Sequence, residues 1–222
     1  MIEVINVKKD FAFGKESVSV LKNINLSINE GDFVSIMGPS GSGKSTHFYL
    51  MGGLDEVTDG TITINGKEIC KLNDEMQSKM RRKEIGFIFQ FYNLIPNLSV
   101  EENIMLPALL DGANKKDLKK KLDELLKLVG LTERRRHTPR ELSGGQQQRT
   151  AIARALITDP DIIFADEPIG NLDSKSGEEI LTLLKRINKE NGKTIVMVTH
   201  SEESTKYGNR VIRLKDGLIQ EN

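Results

Sequence analysis

The chain is poor in the features that would tie it to a bilayer or to an oxidising compartment. With one cysteine, Cys70, in 222 residues it can form no intrachain disulfide. At this length a hydrophobic core can be large enough to stand without one. No apolar run approaches the roughly 20 residues needed to cross a bilayer. The opening MIEVINVKKD has neither the long apolar stretch nor the cleavage site of a signal peptide. These absences predict a reducing cytosol as the chain's home and leave any membrane crossing to another polypeptide. Net charge is missing too: 32 basic residues balance 32 acidic ones. No global field therefore draws the protein to nucleic acid or an anionic membrane, and no nucleic-acid partner is expected. The lysines of NKKDLKKKLDELLK fall on the outer face of an amphipathic helix with acids among them, which makes a solvated face. Cys70, with no activating neighbour beside it, reads as a small apolar packing residue.

What is present is a change of period along the chain. In NINLSIN, Ile24, Leu26 and Ile28 share one side of a strand, and in GTITING Ile62 and Ile64 do the same. This predicts a small antiparallel sheet with a solvated face. The near-continuous apolar runs FVSIM, IGFIF, DIIFA and TIVMVT instead suit parallel strands buried on both faces. Helical patterns lie between them, so the fold class is α/β, a parallel-sheet core with an antiparallel N-terminal subdomain. From about residue 91 to 159 the strongest patterns are helical. Leu118, Leu122, Leu125, Leu126 and Val129 fall on one face before Gly130 stops the helix. Asp216-Gly217 is a two-residue hairpin turn. The expected organisation is a single domain, 1–222, with residues 91–159 as a helical subdomain between 1–90 and 160–222.

In open parallel sheets ligands gather beyond the carboxyl ends of the strands. The residues that follow the four apolar runs are Gly38, Gln90, Asp166 with Glu167, and His200. The first opens GPSGSGKST, that is Gly38, Pro39, Ser40, Gly41, Ser42, Gly43, Lys44, Ser45 and Thr46, which fits the pattern G-x-x-x-x-G-K-[ST]. Glycines let backbone N–H groups approach phosphate oxygens, Lys44 neutralises charge on the terminal phosphates, and Ser45 offers its hydroxyl to Mg²⁺. In DIIFADEP, Asp166 is placed to hold Mg²⁺ through water and Glu167 to polarise an attacking water. LSGGQQQRTAIARAL begins a second helix, with Ser143 as N-cap and Gln146 three residues on, the spacing of a capping box. Gly144 and Gly145 leave its amides bare. A bare helix start is an anion receptor, yet the chain already has one cradle for phosphate.

Taken together, LSGGQ between the phosphate cradle and DEP resembles the nucleotide-binding subunit of an ATP-binding cassette (ABC) transporter, and the resemblance runs over essentially the whole chain. It implies a homodimer in which Ser143 to Gln146 of one copy close over the ATP held by the other. It implies that Gln90 touches Mg²⁺ and senses a membrane permease, that Asp173 of GNLD communicates across the dimer, and that His200 contacts the γ-phosphate. Glu167 becomes the base. Phe11 stands where the family often has an adenine-stacking tyrosine, with Phe13 as the substitute. The wider motifs resemble the branch of macrolide-export, lipoprotein-release and bacitracin-type peptide-export ATPases, and ENIMLPALLDG leans towards the last. An ATP hydrolase peripheral on the inner face of the cell membrane follows from the resemblance. Transport and mechanical signalling through a permease both remain open. Two departures stand out: Ile169 for the usual threonine, and His47, Phe48 and Tyr49 where aliphatics are commoner. Helix packing is the expected role of His47.

Overall fold

A computed structural model describes residues 1–14 and 16–220, without the side chain of Phe13. Strands β1 (Ile2–Phe13), β2 (Glu16–Ile28) and β3 (Phe33–Met37) lead into helix α1 (Lys44–Met51). Strands β4 (Asp59–Ile64) and β5 (Lys67–Glu68) precede α2 (Asp74–Lys83) and β6 (Ile85–Ile88). Helices α3 (Val100–Leu110), α4 (Lys115–Leu128) and α5 (Gly144–Leu156) follow. The chain then runs through β7 (Ile162–Asp166), α6 (Ser174–Asn191), β8 (Thr194–Val198), the short α7 (Glu202–Thr205), β9 (Arg210–Lys215) and β10 (Leu218–Gln220).

The strands divide into two sheets, an antiparallel one in the order β2-β1-β4-β5 and a larger one in the order β10-β9-β3-β8-β7-β6. In the larger sheet only the terminal hairpin β9–β10 is antiparallel; the pairs β3–β9, β3–β8, β8–β7 and β7–β6 are parallel. That hairpin turns at Asp216 and Gly217, whose φ angles of 51° and 78° are both in the left-handed region such a two-residue turn demands.

The apolar runs are explained by what lies on each side of the sheet. Alternate residues of β7 and β8, Ile163, Ala165, Ile195 and Met197, pack with α3, α4, α5 and α6. Their neighbours Ile162, Phe164, Val196 and Val198 pack with α1, α2 and the antiparallel sheet. A strand buried on both faces has no room for a polar alternate. The antiparallel sheet shows the opposite pattern, with Ile24, Ile28, Ile62 and Ile64 buried and Asn25 and Ser27 exposed. In α4, Leu122, Leu125 and Leu126 are buried while the lysines face solvent, and Gly130 ends the unit at φ 69°. Cys70 departs from expectation. It is exposed, because in the tight turn Ile69–Lys71 it is Ile69 that takes the inward position.

Candidate functional site

Strand β3 delivers its carboxyl end to the loop 38–46 between the ends of β8 and β9. A Cβ on Gly38 would collide with the carbonyl of Leu214, and one on Gly43, at φ 97°, would come 2.7 Å from Leu21 Cδ2. Glycine is therefore required for the backbone to lie this low at the foot of α1. That helix starts at Lys44 with no side-chain cap and no acid in its first turn, so its polarised amides are open to an anion. Lys44 Nζ donates to the carbonyls of Gly38 and Pro39, each at 2.9 Å. An ammonium has a further N–H to give.

Two strands away, Asp166 ends β7 and Glu167 follows with φ 45°. The Asp166 carboxyl is pushed above the usual carboxylate range, first by burial and next by the negative charge of Glu167. A hydrogen bond from Tyr49 and the charge of Lys44 pull the other way. Beyond β8, His200 Nδ1 lies 2.9 Å from Glu167 Oε1. Gln90, two residues past β6, is tied by a reciprocal amide pair: Asn171 Nδ2 donates to Gln90 O at 2.9 Å and Gln90 Nε2 to Asn171 Oδ1 at 3.4 Å. The fold thus brings loop 38–46, Gln90, Asp166, Glu167 and His200 to one end of the sheet.

The donors left over are all oxygens. Tyr49 Oη bonds Asp166 at Oδ2, at 3.4 Å, leaving Oδ1; Gln90 uses its amide nitrogen, leaving Oε1; the Ser45 side chain is exposed. Hard oxygen ligands of this kind suit a small divalent cation that keeps several waters.

The remaining expected residues sit apart. Ser143 caps α5 with a complete capping box, its amide donating to Gln146 Oε1 at 3.0 Å. A Cβ on Gly144 would lie 2.9 Å from Tyr92 Oη, and one on Gly145 3.4 Å from the Ser176 side chain. The neighbours of this helix start are thus Tyr92 and α6. Asp173 caps α6, accepting from the Ser176 amide at 3.0 Å and its hydroxyl at 2.7 Å; the Ser176 hydroxyl bond is the main reason its carboxyl is held below the usual range. Phe11 is half-buried near the end of β1, and the side chain of Phe13 lies outside the described residues.

Several participants carry no signal of their own in the sequence. Asn171, Tyr49 and Gln148, whose buried amide donates to Pro168 O at 2.7 Å, are visible only once the chain is folded. Arg154 belongs with them: it donates from the last turn of α5 to Tyr92 O at 2.7 Å and also holds Asn93 O. Tyr92 and Asn93 are consecutive residues at φ 60° and 48°, so the segment after Gln90 is strapped to the helix that begins at Ser143.

Comparison with known proteins places this arrangement in context. A family model described as ABC transporter matches residues 21–170. An uncharacterised ABC transporter ATP-binding protein of Methanocaldococcus jannaschii, MJ0796, is 50% identical over 99% of this chain and 95% of its own length. A solved dimeric structure of that cassette, in a post-hydrolysis state bound to ADP and Pi, superposes with a TM-score of 0.91 at 47% identity, over 100% of this chain and 97% of that one. The lipoprotein-releasing system ATP-binding protein LolD of Geobacter metallireducens is 43% identical over 99% of this chain and 97% of its own. The macrolide export ATP-binding/permease protein MacB of Bdellovibrio bacteriovorus is 49% identical over 99% of this chain, which spans 33% of that longer protein. The chain belongs to the ABC transporter family, as an ATP-binding cassette of the branch that includes the macrolide-export and lipoprotein-release components.

Proposed function

We propose that this protein is the ATP-hydrolysing subunit of a transporter that exports or extracts its substrate through a separate membrane permease. The names of the relatives, lipoprotein release and macrolide export, favour outward movement or extraction. Among the described residues no helix is long and apolar enough to cross a membrane, and in this reading the crossing is made by the permease. Its docking surface is the groove of about 640 Å³ beside the Gln90 segment, lined by Phe87, Phe89, Asn93, Leu106, Leu110 and Arg154.

The amides of loop 38–46 and the Lys44 ammonium bind the phosphates, and Phe11 carries the adenine. Ser45, Asp166 and Gln90 would hold Mg²⁺, which supplies neutralisation of phosphate charge when bound. Glu167 takes a proton from the attacking water on the carboxylate oxygen that His200 leaves free.

The observation that carries the reading is that one chain has two helix starts able to face an anion, the uncapped one at Lys44 and the Ser143-capped one that opens on Gly144 and Gly145, with only the first beside the strand-end carboxylates. A two-fold homodimer uses both twice through one self-complementary interface: residues 143–146 of each copy close over the γ-phosphate held by the other, and Asp173 lies at the seam. ATP bridges the copies and ADP does not. Sedimentation of the Glu167→Gln protein tests this. It should run as a dimer with ATP, as a monomer with ADP, and as a monomer with ATP once Ser143→Arg is added. Identical behaviour in all three conditions sinks the sandwich.

A further inference from the structure

Lys9, the second lysine of VKKD in β1, is only 9% exposed. Its Nζ donates to Asp55 Oδ1 at 2.8 Å and to the carbonyl of Glu56 at 2.7 Å. Asp55 is itself fixed, accepting from the Glu56 amide at 2.8 Å. The same Nζ lies 4.8 Å from the centroid of the Phe11 ring. Two of three ammonium donors are thus spent on a rigid loop. The charge is anchored against one face of the only described aromatic ring at this end of β1.

We infer that Lys9 is a positioning residue for the adenine platform: it locks the Phe11 ring and draws its electron density to one face, so that the other face stacks a purine more strongly. The inference rests on the reading of Phe11 as the adenine-stacking residue. The physical reason is specific to phenylalanine. Lacking a hydroxyl, its ring cannot be steered by a hydrogen bond, and near a strand end it would otherwise swing freely. A cation within about 6 Å of the ring centroid holds the face electrostatically, more strongly when it is desolvated. With electron density pulled towards the ammonium, the far face is less negative and repels the purine π-cloud less. The alternative is that Lys9 only ties β1 to the loop at residues 55–56. The two roles part on one point, since a tie acts on every ligand of the cradle and a platform acts only on ligands that carry a base.

Calorimetric titration with ADP and with pyrophosphate separates them, because neither is hydrolysed at the γ-position. Lys9→Met, of similar length and no charge, should raise the Kd for ADP about five- to tenfold. The Kd for pyrophosphate should stay within about twofold, and Lys9→Arg should recover most of the ADP affinity because a guanidinium also binds ring faces. Should Lys9→Met fail to fold, Asp55→Asn leaves the ammonium in place, loosens its anchor, and should give the same selective loss at smaller size. Equal loss of ADP and pyrophosphate affinity would overturn the inference in favour of the tie, and so would unchanged ADP affinity. Phe11→Leu tests the underlying reading separately. If it leaves ADP affinity unchanged, the platform itself is wrong. If it weakens ADP and Lys9→Met does not, the platform stands and the role of Lys9 falls.

Discussion

The imidazole of His200 and the carboxylate of Glu167 share a hydrogen bond, Nδ1 to Oε1 at 2.9 Å, across 33 residues of chain. The pair is lopsided, with the histidine side chain 71% exposed and the glutamate 15%. The ring can therefore swing while the carboxylate stays. The glutamate is held at its backbone as well, its amide donating to Val198 O and its carbonyl accepting from the Gly170 amide, both at 3.0 Å. A non-glycine residue in the left-handed region carries a cost of about 1–2 kcal/mol, and such strain persists where surrounding bonds over-determine the backbone. Here that backbone aims one carboxylate oxygen at His200 and leaves the other for water.

Glu167→Gln keeps the shape, the left-handed backbone and a bond to His200, and removes only the proton acceptor. Hydrolysis should fall by on the order of 10² or more, while nucleotide affinity changes by no more than about twofold because ground-state binding is untouched. Single-turnover phosphate release, alongside titration with a fluorescent ATP analogue, measures both. Near-normal turnover in this variant would remove Glu167 from the role of base.

The groove beside the Gln90 segment makes a second expectation concrete. Leu110 is 70% exposed at the end of α3 and lines it, whereas Leu94 and Leu98, also in the neighbourhood, are half-buried. A charge at Leu110 should therefore leave the fold intact, within the roughly 0.5 kcal/mol typical of surface substitutions. Leu110→Glu should weaken binding of the proposed permease at least tenfold, since it puts an unpaired charge into a desolvated contact. ATPase activity of the isolated subunit should be unchanged. Undiminished capture would move the docking surface elsewhere.

The parts of the fold that could be read in advance are those written within a few residues. The two-sided burial of β7 and β8 appears as unbroken apolar runs, the start of α5 as Ser143 and Gln146 at capping-box spacing, and the last hairpin as Asp-Gly. The glycine-rich loop 38–46 at the foot of α1 belongs to the same class, being contiguous. The parts that stayed hidden depend on partners far apart in the chain. Lys9 finds Asp55 across 46 residues, Arg154 finds Tyr92 across 62 and Tyr49 finds Asp166 across 117, and no local periodicity encodes such pairings. Lys9 in VKKD looks like any solvated strand charge, and Cys70 like any small packer, until the neighbouring elements decide which side of each residue is filled.

His47 gives the last prediction, because it is buried without compensation. The side chain is fully buried in α1, neither ring nitrogen has a hydrogen-bond partner, and burial lowers its pKa from 6.5 to about 4. The sign follows from which state takes the proton first. In the unfolded chain the ring protonates as pH falls through 6.5, but in the folded protein only near 4, so the unfolded state binds more protons in between. Native stability is therefore lost progressively from about pH 6.5 down to about pH 4, by roughly 3 kcal/mol over the whole window. His47→Leu, an aliphatic at this position, should remove that slope. It should also be more stable at pH 7 by about 1–2 kcal/mol, since an unpaired buried polar group is exchanged for an apolar one. Urea unfolding of both proteins at pH 7 and pH 5 measures the difference, and the advantage of the variant should widen by about 2 kcal/mol at the lower pH. Parallel acid sensitivity in the two proteins would mean that the imidazole of His47 is solvated or partnered in solution, and that the acid response of the fold comes from other groups.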